Sequence, residues 1–487
     1  MDRATTVSDV IYKYLRPLIR QHVGAWSETA GVAGPDFQQV YVEPPQERIG
    51  SQLKPRVPTV ERLVDHLTMD RNDTLILLTG QKGSGKTFAL RRMYDDPAIK
   101  ARFHRVFIRA TGEDLKTGLP AGDADLRLLL LLLCAEVSRE FNKPELKAAL
   151  KQHGARVQLE ETLKQWVALL EPDGLPTPQN FSDYAAKINV VAAELSWKTR
   201  SDDQRRRSLR LDETFAPSQL IRVLSALVRA LRDTVERIDP TRDLLLVVDD
   251  ADKYASREEA ESMFLQGTHT LREVPCKMVL TFPYWLHFDP RYNNLAADVT
   301  REVLSNVKVV TRDAPDVPLE PAMAFFREMF HRIASPQVLE SDDVLKEAAL
   351  LAAGVPREFL RVLAGAFGLA NEFKEPVLTL ETLRDAKIIL AREPIATSST
   401  LAMRARLKYV SVTRTIPTAR FWELLDSLHV VEYVNDRPWY AVNPLLRDWV
   451  DEQVREDRKA LSDRGVKSKD IDDQLKARWL EVAASDD

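Results

Sequence analysis

Short runs of mainly apolar residues alternate with segments of helical spacing between about residues 58 and 315. Each run is short and bounded by polar or turn residues, which predicts strands buried on both faces, as in a parallel sheet with helices on both faces. The long interval between the second and third runs predicts a helical insertion at about 112–240, because a single crossover needs far fewer residues. The five runs are residues 75–78, 106–108, 244–248, 278–280 and 307–310.

Outside this α/β block the pattern is mainly helical. A helix at 7–21 and a short strand at 37–42 precede it, and helical spacing continues beyond about residue 316. A helix at 421–428, two strands at 430–434 and 439–442, and a helix from Leu445 then give the outline of a winged-helix module. We therefore divide the chain into an N-terminal helix and strand segment (1–57), an α/β core (58–315), a helical lid (316–395), a winged-helix domain (396–450) and a charged helical tail (451–487).

Composition is that of a globular protein with two to four domains: 487 residues, 44% hydrophobic and 29% charged. The net charge of −4 excludes a polybasic protein, so a nucleic-acid contact would need a local basic patch. Two cysteines, Cys134 and Cys276, cannot form a disulfide framework, and no Cys/His cluster has metal-ligand spacing. The richest apolar run, Leu128–Ala135, is much shorter than a membrane span, and the first residues lack a signal-peptide pattern. We therefore expect a cytoplasmic protein without a membrane segment.

One octapeptide fits the phosphate-loop pattern G-x-x-x-x-G-K-[ST] in full and lies between an apolar run and a predicted helix. Its glycines permit positive φ, so consecutive backbone N–H groups can turn toward an anion, and the following helix adds its positive end. Lys86 would contact the β- and γ-phosphates of ATP, and the Thr87 hydroxyl would bind Mg²⁺. The octapeptide is Gly80-Gln81-Lys82-Gly83-Ser84-Gly85-Lys86-Thr87.

The apolar run 244–248 ends in two carboxylates, as in a Walker B motif. Asp249, at the strand tip, would hold Mg²⁺ through water, and Asp250 is the candidate base that orients the attacking water. Two adjacent carboxylates can also be ordinary turn residues, and the sequence leaves this alternative open. With the phosphate loop, the pattern indicates a Mg²⁺-dependent ATPase of the P-loop NTPase class.

With these motifs in this order, about residues 37–450 resemble ATPases on the border of the AAA+ and STAND groups, in particular origin-recognition-type and NACHT-like ATPases. The resemblance implies that Thr281, which ends the fourth run, senses the γ-phosphate. It implies that Arg357, in Gly354-Val355-Pro356-Arg357, contacts phosphates from the lid. It also implies that Asn443, where many STAND members have histidine, can donate a hydrogen bond to the β-phosphate.

The same resemblance implies an arginine finger donated by a neighbouring subunit. Arg291 and Arg301 are the candidates, and Arg301 is favoured because it lies in a helix-like stretch that ends just before the fifth run. An ordinary surface arginine is the alternative for Arg301. The corresponding alternatives are a strand-end threonine for Thr281 and a surface arginine at a helix start for Arg357.

Two functions are compatible with this class. The first is a nucleotide-controlled switch or motor that acts with separately encoded protein partners or further copies of itself, by fold analogy in bacterial anti-phage or mobile-element systems. The second is a DNA-binding ATPase of origin-recognition or transposition-regulator type, in which the winged helix and the basic loop 200–210 grip duplex. That loop can also be a solvated surface segment. The winged helix has seven basic and five acidic residues between 404 and 448, which favours the first function. A scaffold that hydrolyses little is a third alternative, disfavoured by the intact Walker residues.

Overall fold

The computed structural model describes most of the chain in two compact units. The first unit comprises residues 59–79 and 87–303, and the second comprises residues 1–58, 80–86 and 304–487. Most of the predicted strand 37–42, and all of the basic loop 200–210, lie outside the described residues. The described residues are 4–15, 58–69, 73–110, 125–152, 217–253, 260–295, 299–434 and 438–484, with positions 42, 44, 48–49 and 54–55.

A five-stranded parallel sheet lies at the centre of the first unit. Its strands are β1 (Leu75–Thr79), β2 (Phe103–Arg109), β3 (Asp243–Asp249), β4 (Lys277–Thr281) and β5 (Thr300–Val303), in the order β2-β3-β4-β1-β5. Every residue of β1 and β4 is buried, because neighbouring elements cover both faces of these central strands. In a parallel sheet the carboxyl ends of the strands share one edge, so Asp249 and Thr281 end adjacent strands there.

Helices of the first unit pack on this sheet, which confirms the predicted α/β fold class with a parallel sheet. The long helix α6 buries an apolar face that includes Leu220, Leu224 and Leu231, and it contacts α4 and β3. The helices are α1 (Thr59–Met69), α2 (Lys86–Tyr94), α3 (Pro97–Arg102), α4 (Asp125–Glu140), α5 (Pro144–Gln152), α6 (Pro217–Ile238), α7 (Gly267–Leu271) and α8 (Pro290–Leu295), with a π-helical turn at Ser262–Gln266 and a 3-10 turn at Tyr284–Phe288.

The predicted fifth strand is wrong, because the run 307–310 is not part of the sheet. The fifth strand is β5, which pairs with β1 at the edge, so Arg301 lies on a strand and not in a helix-like stretch. Val307 N–H donates to the carbonyl of Gly354 (3.0 Å), and Val309 accepts from Leu319 N–H (2.8 Å). The three valines of the run are buried in the second unit, while Lys308 between them is half-buried.

The second unit contains the predicted all-helical region. Ala4 accepts a hydrogen bond from Ser335 N–H (2.8 Å), which joins the N-terminal segment to this region. A helical turn at Val7–Asp9 continues as a π-helix at Val10–Leu15, and a two-residue ladder pairs Arg48–Ile49 with Lys54–Pro55. The helices are α9 (Glu320–Ile333), α10 (Asp342–Leu351), α11 (Pro356–Glu372) and α12 (Leu380–Thr397), with a 3-10 turn at Pro336–Val338.

The winged-helix outline is present, with one element that the sequence pattern did not predict. Helix α13 (Leu401–Thr413) precedes the predicted helix, which is reduced to a 3-10 turn at Ala419–Trp422 and the single turn α14 (Glu423–Asp426). The antiparallel hairpin consists of β6 (Val430–Val434) and β7 (Pro438–Val442), as predicted.

Two helices, α15 (Pro444–Asp463) and α16 (Ser468–Ala484), complete the second unit. Helix α16 packs on α13 through buried Leu475, Trp479 and Ala483, and the Arg406 guanidinium donates to the carbonyl of Ala483. The charged tail is therefore helical, and one face of its last helix is part of the core. Among the described helices, none is both long and apolar enough to cross a membrane.

Candidate nucleotide-binding site

Residues 80–86 form a tight loop between β1 and α2. Gly83 and Gly85 have φ of +86° and +102°, a left-handed conformation that favours glycine. Among the described residues, no atom lies within 4 Å of a Cβ placed on Gly85, so the space beside this glycine is open to them. The Lys86 ammonium donates to the carbonyls of Gly80 (2.6 Å) and Gln81 (3.3 Å). The loop thus has the left-handed glycines that an anion cradle requires.

The start of helix α11 contacts this loop. Arg357 N–H donates to the carbonyl of Gly83 (3.3 Å), and a Cβ at Gly83 would lie 2.9 Å from the Arg357 Cβ. Gly354 has φ of +76°, and a Cβ there would lie 1.8 Å from the carbonyl oxygen of Val307. The backbone of Arg357 therefore lies beside the loop, while the contact of its side chain with phosphates stays a prediction.

The side chain of Gln81 forms hydrogen bonds from the loop to the winged helix. Its side-chain Nε2 donates to the carbonyls of Leu425 (3.1 Å) and Val430 (2.9 Å). Its Oε1 accepts from Glu432 N–H (3.0 Å) and from the Asn306 side-chain amide. Only 1% of Gln81 is exposed, so the second position of the phosphate loop is buried against the hairpin.

Asn443 lies at the end of the hairpin, with both polar side-chain atoms hydrogen-bonded inside the winged helix. Its Nδ2 donates to the carbonyl of Leu428 (2.8 Å), and its Oδ1 accepts from Leu445 N–H (3.0 Å), which caps α15. These bonds give Asn443 a structural role. Its contact with a β-phosphate stays a prediction.

Asp249, in the first unit, is 1% exposed. Its Oδ1 accepts from Asp250 N–H (2.9 Å), while within the described residues its Oδ2 has no hydrogen-bond partner. Burial, with the nearby charges of Asp250 and Asp252, raises the pKa of Asp249 to about 6, while the Thr87 side chain and the Asp250 N–H act to lower it. A buried carboxylate with an unpartnered oxygen beside a threonine hydroxyl has the chemistry of a Mg²⁺ site.

The residues around Asp249 define the turn after β3. Thr281 Oγ1 accepts from Ala251 N–H (2.9 Å), so this fully buried threonine fixes the turn from the adjacent strand. Asp250 has φ of +63°, unusual for a residue with a Cβ, and its carboxylate pairs with Lys253 Nζ (2.6 Å). The described residues contain no cluster of three His, Cys, Asp or Glu side chains, so a cation here would take further ligands from phosphate and water.

The two arginine-finger candidates differ in their surroundings. Arg291 is paired with Glu261 and Asp289, each at 2.8 Å. The guanidinium carbon of Arg301 lies 5.4 Å from the ring centroid of Tyr292. Burial first, and then the charge of Arg301, lower the pKa of His287 to about 4. Neither environment tests donation to a neighbouring subunit, which stays a prediction.

The sequence pattern placed Gln81 among the nucleotide-binding residues of the loop, which stays a prediction, but it did not indicate the contact of Gln81 with the winged helix, nor Asn306. The phosphate-loop motif leaves the second position unspecified, and Asn306 adjoins a run that was assigned to a strand. A polar residue beside a mainly apolar run, such as Asn306 before 307–310, is the signal that could have been used.

No family model matches the chain, and none of the curated proteins compared with it matches. Solved structures with a similar chain path include Cdc6p of Pyrobaculum aerophilum, 15% identical over 86% of this chain and 98% of that chain, with a TM-score of 0.35. The Orc1 protein of Aeropyrum pernix in complex with DNA is 14% identical over 81% and 93%, with a TM-score of 0.34. A Walker-type ATPase of Pyrococcus abyssi is 15% identical over 85% and 99%, with a TM-score of 0.38.

Proposed function

We propose that this chain is an ATP-binding and ATP-hydrolysing P-loop ATPase of the AAA+ type that acts as a nucleotide-controlled switch. The observation that carries the proposal is buried Asp249, whose Oδ2 has no hydrogen-bond partner within the described residues and whose pKa is lowered by the nearby Thr87 side chain against the effect of burial. Thr87 directly follows Lys86, the last residue of a loop with left-handed glycines. In this proposal Lys86 binds phosphate, and the next residue, Thr87, binds the cation together with Asp249.

Each residue has a defined task in this proposal. Loop N–H groups and the Lys86 ammonium bind the phosphates, and Asp250 accepts a hydrogen bond from the attacking water. Thr87 and Asp249 would hold Mg²⁺, which supplies positive charge to the phosphate oxygens when bound. Thr281 fixes the turn that carries Asp250, and Arg357 adds charge from the lid.

The switch acts through the lid and the winged helix, which both contact the loop within the second unit. A ligand shifts such contacts only by binding one arrangement better than the other. We propose that the arrangement favoured by ATP is recognised by a protein effector or by further copies of this chain. In the second case Arg301 would serve as the finger. An anti-phage setting stays a prediction.

Turnover and nucleotide binding test the proposal separately. Lys86→Ala and Asp250→Asn should each lower ATP hydrolysis at least about tenfold, because each removes a group that acts on the reacting phosphate or water. Asp250→Asn should retain nucleotide binding better, since the loop remains intact. Gln337→Ala, which changes an exposed glutamine in the second unit, is the matched control and should leave both unchanged. Wild-type hydrolysis without Mg²⁺ dependence, or no uptake of a fluorescent ATP analogue, would contradict the proposal.

Duplex binding by the winged helix is the alternative function. Several basic side chains of this domain are engaged inside the second unit: Lys408 with Asp457 (2.7 Å), Arg406 with Glu423 (3.1 Å) and Arg447 with Asp316 (3.2 Å). Because these basic side chains already form ion pairs with carboxylates, the structure favours the proposed switch over duplex binding.

A titration with a 30-bp duplex at several salt concentrations tests the alternative. Contacts to DNA phosphates make log K fall linearly with log salt. A slope near zero would contradict duplex binding.

A further inference from the structure

We infer that Gln81 couples the phosphate loop to the winged helix, so that nucleotide binding and docking of the hairpin β6–β7 stabilise each other; this inference rests on the proposed nucleotide binding. The side chain stands at a position that the phosphate-loop motif leaves open, since phosphate is bound there by backbone N–H groups. A buried glutamine at this position therefore needs another explanation than phosphate chemistry.

The Gln81 amide uses its full hydrogen-bonding capacity. A primary amide has two donor hydrogens and two acceptor lone pairs. The two donor hydrogens go to the carbonyls of Leu425 and Val430, and the two lone pairs accept from Glu432 N–H and Asn306. Glutamate lacks both donors and alanine lacks all four groups, so neither can replace this residue.

The backbone of Gln81 organises the loop itself. Its carbonyl accepts from Ser84 N–H (3.1 Å) and from the Lys86 ammonium (3.3 Å). A displacement of the winged helix that moves the Gln81 side chain would therefore also move the acceptor of a loop N–H and of the phosphate-binding lysine. Backbone groups of the hairpin are thus connected to Lys86 through one residue.

A second contact supports the same docked position of the hairpin. The Tyr433 hydroxyl donates to the carbonyl of Ala353 (2.9 Å), beside Gly354. The loop with its left-handed glycines is thus held by the winged helix through Gln81 and by the lid through Gly83. Since the docked arrangement contains a loop of anion-binding shape, a bound triphosphate should favour docking, and linkage makes the effect reciprocal.

Hydrogen exchange of the full chain, with and without a non-hydrolysable ATP analogue, measures this coupling. In the wild type, saturating analogue should slow amide exchange in β6 and β7. In Gln81→Ala the analogue should bind about 5–150-fold more weakly, the range expected for an allosteric coupling. At saturation it should no longer slow exchange in the hairpin, because the connection is absent.

Gln81→Glu provides a second variant of nearly the same shape, for use if Gln81→Ala folds poorly. It keeps the acceptors but loses the two donors to Leu425 and Val430, so it should also lose the nucleotide response of the hairpin. Gln337→Ala should behave as the wild type.

Three results would overturn the inference. If both Gln81 variants exchange faster in the hairpin but keep the full response to the analogue, Gln81 has a structural role only. If the wild type binds the analogue without any change in β6 and β7, coupling is absent while the proposed ATPase stands. If the wild type binds no nucleotide, the proposed function and the inference both fail.

Discussion

Asp249→Asn should stabilise the nucleotide-free protein, and the gain should grow with pH. Folding raises the pKa of Asp249 from 3.8 to about 6, so the folded state favours the protonated carboxyl. The resulting stability is fully present below the unfolded pKa and is lost as pH rises toward 6. At pH 8 the ionised form costs about 3 kcal/mol, and at pH 4.5 about 1 kcal/mol. The asparagine amide abolishes this pH-dependent penalty.

The most informative quantity compares two pH values. It is the stability gained by Asp249→Asn over the wild type at pH 8, minus the gain at pH 4.5. An unpaired amide hydrogen of asparagine adds a cost that does not vary with pH. This cost cancels when the gains at the two pH values are subtracted, which leaves a difference of about 2 kcal/mol. It corresponds to a shift in Tm of about 4–8 °C for a unit of 150–250 residues. Thermal unfolding followed by circular dichroism at pH 4.5 and pH 8 measures it.

Asp233→Asn is the matched control, since it removes an exposed carboxylate from α6 of the same unit. Its Tm should follow that of the wild type at both pH values. Mg²⁺ with a non-hydrolysable ATP analogue should raise the Tm of the wild type more than that of Asp249→Asn. An equal gain at both pH values, or a larger gain at pH 4.5, would refute the reasoning.

Three further substitutions probe the second unit, each by thermal or urea unfolding. Gly354→Ala should destabilise by about 3 kcal/mol or more, because φ is +76° and the new Cβ would lie 1.8 Å from the Val307 carbonyl oxygen. Asn443→Ala should cost about 1–3 kcal/mol through the lost cap of α15, and unchanged stability would contradict that role. Trp479→Ala should cost about 3–5 kcal/mol because the indole is buried under α13, and a loss below about 1 kcal/mol would mean that α16 is not part of the core.

Most strands of the sheet, and the helices around it, could be predicted because local sequence patterns determine them. Four of the five apolar runs became strands because uninterrupted apolar residues must be covered on both faces. The run 307–310 shows the limit of that rule: its three valines are buried, but its backbone pairs with Gly354 and Leu319 in place of a sheet neighbour. An apolar run indicates burial and does not identify its partner.

The winged helix was predicted from its hairpin more accurately than from its helices. Helix α13 was missed because its buried positions include small alanines and the buried Arg406, which give a weak apolar stripe. Helix α14 is shorter than predicted because Leu428 adopts φ of +58° just before β6. Both features depend on tertiary contacts, such as the α16 carbonyl that accepts from Arg406.

The phosphate loop shows most clearly what a motif can and cannot predict. The motif predicts positive φ at Gly83 and Gly85, which the structure has, whereas phosphate binding by Lys86 stays a prediction. Gln81 is under no such constraint, and its buried amide depends on carbonyls about 345 residues further along the chain. A buried amide with all four groups satisfied loses several hydrogen bonds at once when its partners move, at about 1 kcal/mol or more for each. If the loop binds nucleotide as proposed, Gln81 would therefore make that binding depend on the winged helix.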